Sequence, residues 1–179
     1  MTTIDLIVLG MLKKEPLSAY DIQKLVEYRN ISRWVKISTP SIYKKVLQLE
    51  KKGLITGTTV KEGKMPEKVV YTLTTAGHET FEELMADIAS QPIRFFLDFN
   101  AVIVNLDALP ADKQHACIAD IEQNITILKA YLLDNLAEKE HLPDIPTTGI
   151  AVLKQQLALA ETIEEWLASL KTSIRPSVQ

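Results

Sequence analysis

The sequence predicts a mainly α-helical protein with one small β-hairpin, divided into two domains. Three observations carry this. Apolar residues recur at helical spacing along most of the chain. That spacing is interrupted once, between Leu54 and Leu73, by segments rich in Ile, Thr, Val and Tyr around a Gly- and Pro-containing turn. The charge also changes sign along the chain. Residues 1–85 carry 13 Lys and Arg against 10 Asp and Glu, a net +3, and residues 86–179 carry 7 against 13, a net −6.

The elements follow in order. Ile4 to Lys13 is apolar with a helical tendency, closed by Pro16. Ser18 precedes Asp21 by three residues, a capping box that opens a second helix through about Tyr28 with Ile22, Leu25 and Val26 inward. Arg29 to Ile37 is a connector holding Trp34. A third helix is punctuated at both ends. Thr39 is a good N-cap, Pro40 occupies the first helical position where no N–H is needed, and Gly53 supplies the stop. On this helix Ile42, Val46 and Leu49 share one face. Pro40, Ser41, Lys44, Gln48 and Lys51 take the opposite face, with Tyr43 on the flank. Leu54 to Val60 and Lys68 to Leu73 read as strands joined by a turn at 61–67, and Thr74 or Thr75 caps a helix to about Ser90. Three helices followed by a hairpin within this length describe a winged helix-turn-helix domain, placed at 1–90.

Gln91-Pro92 marks the joint to the second domain, 91–179. Ile93 to Leu106 is apolar and aromatic. Pro110 opens a long helix in which Ile118, Ile121, Ile125, Leu128 and Leu132 are spaced 3, 4, 3 and 4, a heptad seam. Pro143 and Pro146 break it, and Thr147 or Thr148 starts a last helix. The seam either packs against that last helix within one chain or joins two chains as a dimer interface. The second is favoured, because a palindrome reader must set two reading helices about one DNA turn apart.

Several function classes lose their support at this stage. Hydrophobic content of 46% with 24% charge belongs to a globular chain rather than a disordered one. The apolar run Leu6 to Leu12 is too short to span a bilayer, and Asp5 stands where a signal peptide has a basic region, so a cytoplasmic protein is expected. The single Cys117 excludes an internal disulfide. His115 and Cys117 point about 200° apart on a helix and make no metal pair. No metal, nucleotide or nucleophile motif occurs, and no enzyme, metal site or cofactor is expected.

What remains is the third helix. Small polar residues at its start allow close approach to the major groove, and its lysines can neutralise phosphates. Ser41, Lys44 and Gln48 are placed nearest base edges, and Thr39, Tyr43 and Lys45 nearer the backbone. Lys61, Lys64 and Lys68 add a second basic element at the hairpin. The bland alternative is a solvated helix face, which this second basic element makes less apt.

Four segments together resemble the PadR family of bacterial transcriptional regulators: Ser18-Ala19-Tyr20-Asp21-Ile22; Trp34 with Ser38-Thr39-Pro40-Ser41-Ile42-Tyr43; Leu49-Glu50-Lys51-Lys52-Gly53-Leu54-Ile55; and Tyr71-Thr72-Leu73-Thr74-Thr75-Ala76-Gly77. The resemblance covers about residues 4–85. It implies a homodimeric repressor whose third helix reads the major groove of double-stranded DNA and whose wing contacts the flanks. Tyr43 matches the family's helix-three tyrosine, a backbone contact, and Ser38 and Ser41 match its helix-entry positions. Lys44 stands where many members carry proline, and Ala19 where many carry glycine; neither change threatens the fold, and the one at Lys44 is expected to alter operator preference. The back half is similar in length and layout to the family's Vir-type C-terminal domain. Family members answer to small aromatic compounds, which makes Trp34, Phe95, Phe96 and Phe99 a candidate effector pocket, with core packing as the alternative. The rival functions are a winged-helix protein-interaction module and a small-molecule binder without specific DNA binding.

Overall fold

The computed structural model describes residues 1–35, 37, 41–61 and 67–173. These divide into two compact units, Met1–Ile93 and Arg94–Gln179.

In the first unit, α1 (Thr3–Leu12) is followed by the two-residue strand β1 (Leu17–Ser18), α2 (Ala19–Tyr28), a 3-10 turn at Ile31–Arg33, α3 (Ser41–Lys51), β2 (Ile55–Val60), β3 (Lys68–Leu73) and α4 (Thr75–Ala89). Helix starts are set by side chains. The Thr2 backbone N–H and hydroxyl donate to Asp5 Oδ2 at 2.7 and 3.0 Å. The Ser18 hydroxyl accepts from the Asp21 N–H at 3.1 Å, and Asp21 Oδ2 accepts from the Ser18 N–H at 3.1 Å, the reciprocal box expected there. Gly53 ends α3 with φ of 72°, the left-handed conformation that favours glycine. Thr74 caps α4: its hydroxyl accepts from the Gly77 N–H at 3.1 Å and donates to the Gly53 carbonyl at 2.7 Å. One threonine therefore ties the end of α3 to the start of α4.

The hairpin expected from the sequence is one part of a larger sheet. β3 lies between β1 and β2, antiparallel to both, with Leu17 opposite Tyr71 on one side and Gly57 opposite Tyr71 on the other. Val8 and Leu9 of α1, Ile22 and Val26 of α2, Ile42, Val46 and Leu49 of α3, and Ile55 and Tyr71 of the sheet close a single core.

In the second unit, the Ile93 to Leu106 stretch forms only a short helix, α5 (Asn100–Ile103), before the 3-10 turn at Leu106–Ala108. Two long helices follow, α6 (Ala111–Lys139) and α7 (Thr147–Ser173). Ion pairs Glu122–Lys171, Lys129–Glu164 and Glu140–Lys154 cross between them. Residue numbers fall on α7 as they rise on α6, so the helices run antiparallel. Their apolar contact is split into two clusters. One holds Leu132, Leu136, Ile145, Ile150, Leu153 and Ala160, and the other Ile121, Ile125 and Leu167 with Phe99, Ile103 and Ile163 against it.

Candidate nucleic-acid interface

α3 has two chemically distinct sides. Ile42, Val46 and Leu49 are fully buried in the core. Tyr43, Lys44 and Gln48 are exposed on the other side, Tyr43 by 61%, and Ser41 is half-buried at the helix entry. Ser38, Thr39 and Lys64 lie outside the described residues. Lys61 and Lys68 flank the turn of the hairpin that follows α3, with Lys68 opposite Val60. Lys61 Nζ is 3.9 Å from Glu67 Oε1, a loose surface pair. Lys68 lies close enough to Asp21 to help hold that carboxyl below its ordinary value, after the larger effect of the Ser18 hydroxyl.

Lys45 differs from expectation. It points inward: its side chain is 18% exposed, and its ammonium lies 3.0 Å from Oδ1 of Asp5, which is itself 2% exposed. Oδ1 receives no well-aligned hydrogen bond, so the lysine charge is its compensation. Burial alone pushes the Asp5 carboxyl up. The Thr2 backbone N–H, the Lys45 ammonium and the Thr2 hydroxyl together outweigh it and hold the group below its ordinary value. Lys45 therefore fastens α3 to α1, where a place near the DNA backbone was expected. The sequence reading missed Asp5 for this role, since the Thr2–Asp5 capping pattern is its sole local signal.

Glu50 was also missed. From the last turn of α3 its Oε1 accepts the N–H of Gly57 on β2 at 3.1 Å. On α2, the exposed Tyr20 has the Lys24 ammonium 5.5 Å from its ring centre.

The residues expected at a dimer interface are mostly covered within the chain. Ile118, Ile121, Ile125 and Leu132 are buried, and only Leu128 of the five is exposed, by 42%. The heptad seam is chiefly the inner face of α6, with Ile121, Ile125 and Leu132 in its clusters with α7. Other apolar side chains of the second unit remain uncovered, among them Val104, Ile127 and Leu133.

The four aromatic residues have separate settings. Trp34 packs on the core of the first unit. Phe99 packs with Ile121, Ile125 and Leu167, its ring 6.1 Å from that of Trp166 at 29°. Phe95 and Phe96 are exposed, Phe96 by 82%. A cleft of about 350 Å³ in the second unit is lined instead by Ile103, Val104, Leu106, Asp107, Gln114 and Leu170. Among the described residues no group of His, Cys, Asp or Glu could hold a metal ion, and no helix is long and apolar enough to cross a membrane.

The model of the "Transcriptional regulator PadR-like family" matches residues 8–83. Bacillus subtilis PadR in complex with operator DNA is similar in fold, with TM-score 0.81 and 24% identity over 97% of this chain and 100% of that one. The same protein in complex with p-coumaric acid gives 0.80 and 22% over 97% and 99%. The Vibrio cholerae virulence activator AphA gives 0.72 and 19% over 96% and 98%. No curated protein matches the chain by sequence. At these identities the structural likeness is one of fold. Residues 8–83 of the chain thus match the PadR-like family of transcriptional regulators, and the whole chain shares the fold of solved PadR proteins.

Proposed function

We propose that this regulator is a sequence-specific repressor that binds a palindromic operator as a homodimer. The observation that carries the reading is the division of α3 into a fully buried apolar side and an exposed side bearing Tyr43, Lys44 and Gln48. A helix so divided, second in a helix-turn-helix, can lay its polar side in a major groove. Ser41, Lys44 and Gln48 face the base edges, and Tyr43 faces the sugar-phosphate backbone. Lys61 and Lys68, with Lys64 beyond the described residues, carry the wing's charge to flanking phosphates, and Ser38 and Thr39, also beyond the described residues, belong to the helix entry.

Dimerisation belongs to the second unit. Its uncovered apolar side chains, including Ile127, Leu128 and Leu133 on α6, supply what a second copy could cover. With the rest of the heptad seam turned inward, Leu128 is the member of that set retained for the interface. A small aromatic effector is proposed to act on the second unit, where Phe99 and Trp166 already form a stacked pair. Such a molecule releases DNA only by binding the DNA-free conformation better than the DNA-competent one.

A second reading, activation instead of repression, is favoured by the fold likeness to a protein described as a virulence activator. It keeps the same DNA-binding surface and differs in where the site lies relative to a promoter.

The test is selection of duplexes bound by the purified protein from random DNA at about 0.15 M salt, where weak non-specific phosphate binding is suppressed. Recovery of an inverted repeat is the expected result. Recovery of no motif, with binding that vanishes as salt rises, would overturn specific recognition and favour an interaction module.

A further inference from the structure

The N–H of Gly57 is directed at a carboxylate on the recognition helix rather than at β3. β2 is an edge of the sheet, so alternate N–H groups along it have no strand to receive them. At Gly57 the partner is Glu50 Oε1, 3.1 Å away. Glycine at this position is what admits the carboxylate. A Cβ built there would stand 2.8 Å from Glu50 Oε1, 2.7 Å from Val69 Cγ1 and 3.0 Å from Tyr71 Cε1. Glu50 and Gly57 are a matched pair in which one supplies the acceptor and the other the space.

The pair sits where two DNA-facing elements meet. Glu50 and Tyr43 are seven residues apart on α3, two turns along one side of the helix. Both influence Tyr71, the residue opposite Gly57 on β3. Its hydroxyl is pushed up by burial first, then by the Glu50 carboxylate and by Tyr43. Helix and wing are therefore joined at one point by a charge-assisted hydrogen bond, of the stronger kind. In the last turn of α3 an acidic side chain also opposes the helix dipole, so helix stability alone does not account for it.

We propose that Glu50 is a positioning residue: its bond to Gly57 sets the angle of the wing against the recognition helix, so that both reach one DNA duplex together. This rests on the DNA-binding reading above. Glu50 itself need not touch DNA, and its negative charge suits it poorly to do so.

The experiment uses the full chain and the most enriched duplex from the selection, in two lengths: one with flanks for the wing, one trimmed to the major-groove sites. Glu50→Ala is expected to lose affinity on the long duplex by about tenfold, as fits a broken hydrogen bond to a charged group. It is expected to match the parent protein on the trimmed duplex. Glu50→Gln keeps an acceptor oxygen and is expected to restore most of the long-duplex affinity. Thermal unfolding of each variant accompanies the titrations. Equal loss on both duplexes with a lowered Tm would make Glu50 merely structural and overturn the proposal. Unchanged binding to both, or Gln behaving as Ala does, would overturn it as well. A parent protein that enriches no sequence would overturn the DNA-binding reading together with this one, whereas a parent that enriches a motif while Glu50→Ala binds it equally well removes the positioning role alone.

Discussion

The two units solve the burial problem differently. The first closes four helices and a sheet around one core, and its interior residues Val8, Leu9, Ile22, Val26, Ile42, Val46 and Leu49 are completely covered. The second rests on one antiparallel helix pair whose apolar contact is broken into two small clusters, and it leaves Val104, Ile127 and Leu133 at least half exposed. A pair of helices offers each helix only one partner, so much of its apolar surface has nothing to meet. The first unit covers its own apolar interior, and the second leaves apolar surface that a partner could cover.

The largest effect expected from probing this contrast lies inside the first unit. Lys45→Ala leaves the Asp5 carboxylate buried without a counter-charge and should cost about 3 kcal/mol in urea unfolding. An unchanged midpoint would show that water reaches Asp5 and that the first unit is less tightly closed than its burial suggests. Next comes Ile127→Glu combined with Leu128→Glu in the second unit. As exposed positions these should shift chain stability by no more than about 0.5 kcal/mol each, while light scattering reports half the parent mass. A dimer of unaltered mass would place the interface elsewhere, and a monomeric parent would remove the homodimer. The smallest effect is at Lys44. Lys44→Ala should leave Tm unchanged and cost about 1 kcal/mol of affinity for the enriched duplex while relaxing the preference at the base it faces, read by competition with duplexes altered at that position. Lys44 and Lys45 thus form a test by neighbours, equal in charge and opposite in outcome.

Local signals made much of the fold legible. Ser18 with Asp21, Gly53, Pro110, and the Pro143 and Pro146 pair each announce a helix end through chemistry confined to a few residues. The β-rich segments did the same for β2 and β3. β1 escaped because two residues carry no alternation, and its partner strand lies some fifty residues away. The inward turn of Lys45 escaped for a similar reason: a helical wheel places it on the flank, and only the distant Asp5 pulls it inside. The heptad seam on α6 was a sound sign of a helix–helix contact. Periodicity states that an apolar stripe is covered and is silent on whether the cover comes from the same chain. Glu50 stood in the quoted family pattern without a role, because its acceptor function depends on an N–H exposed only when the sheet is assembled.

The pairing of Glu50 with Gly57 bears on solubility. A sheet edge with free N–H groups is a template on which another copy can add a strand, the first step toward aggregation. Here one edge, β1, is only two residues long, and the other, β2, has a carboxylate across the N–H of Gly57. An incoming strand would have to displace that carboxylate and leave it beside its own carbonyl oxygens. The bond that joins wing to helix also occupies an edge N–H that an added strand would need.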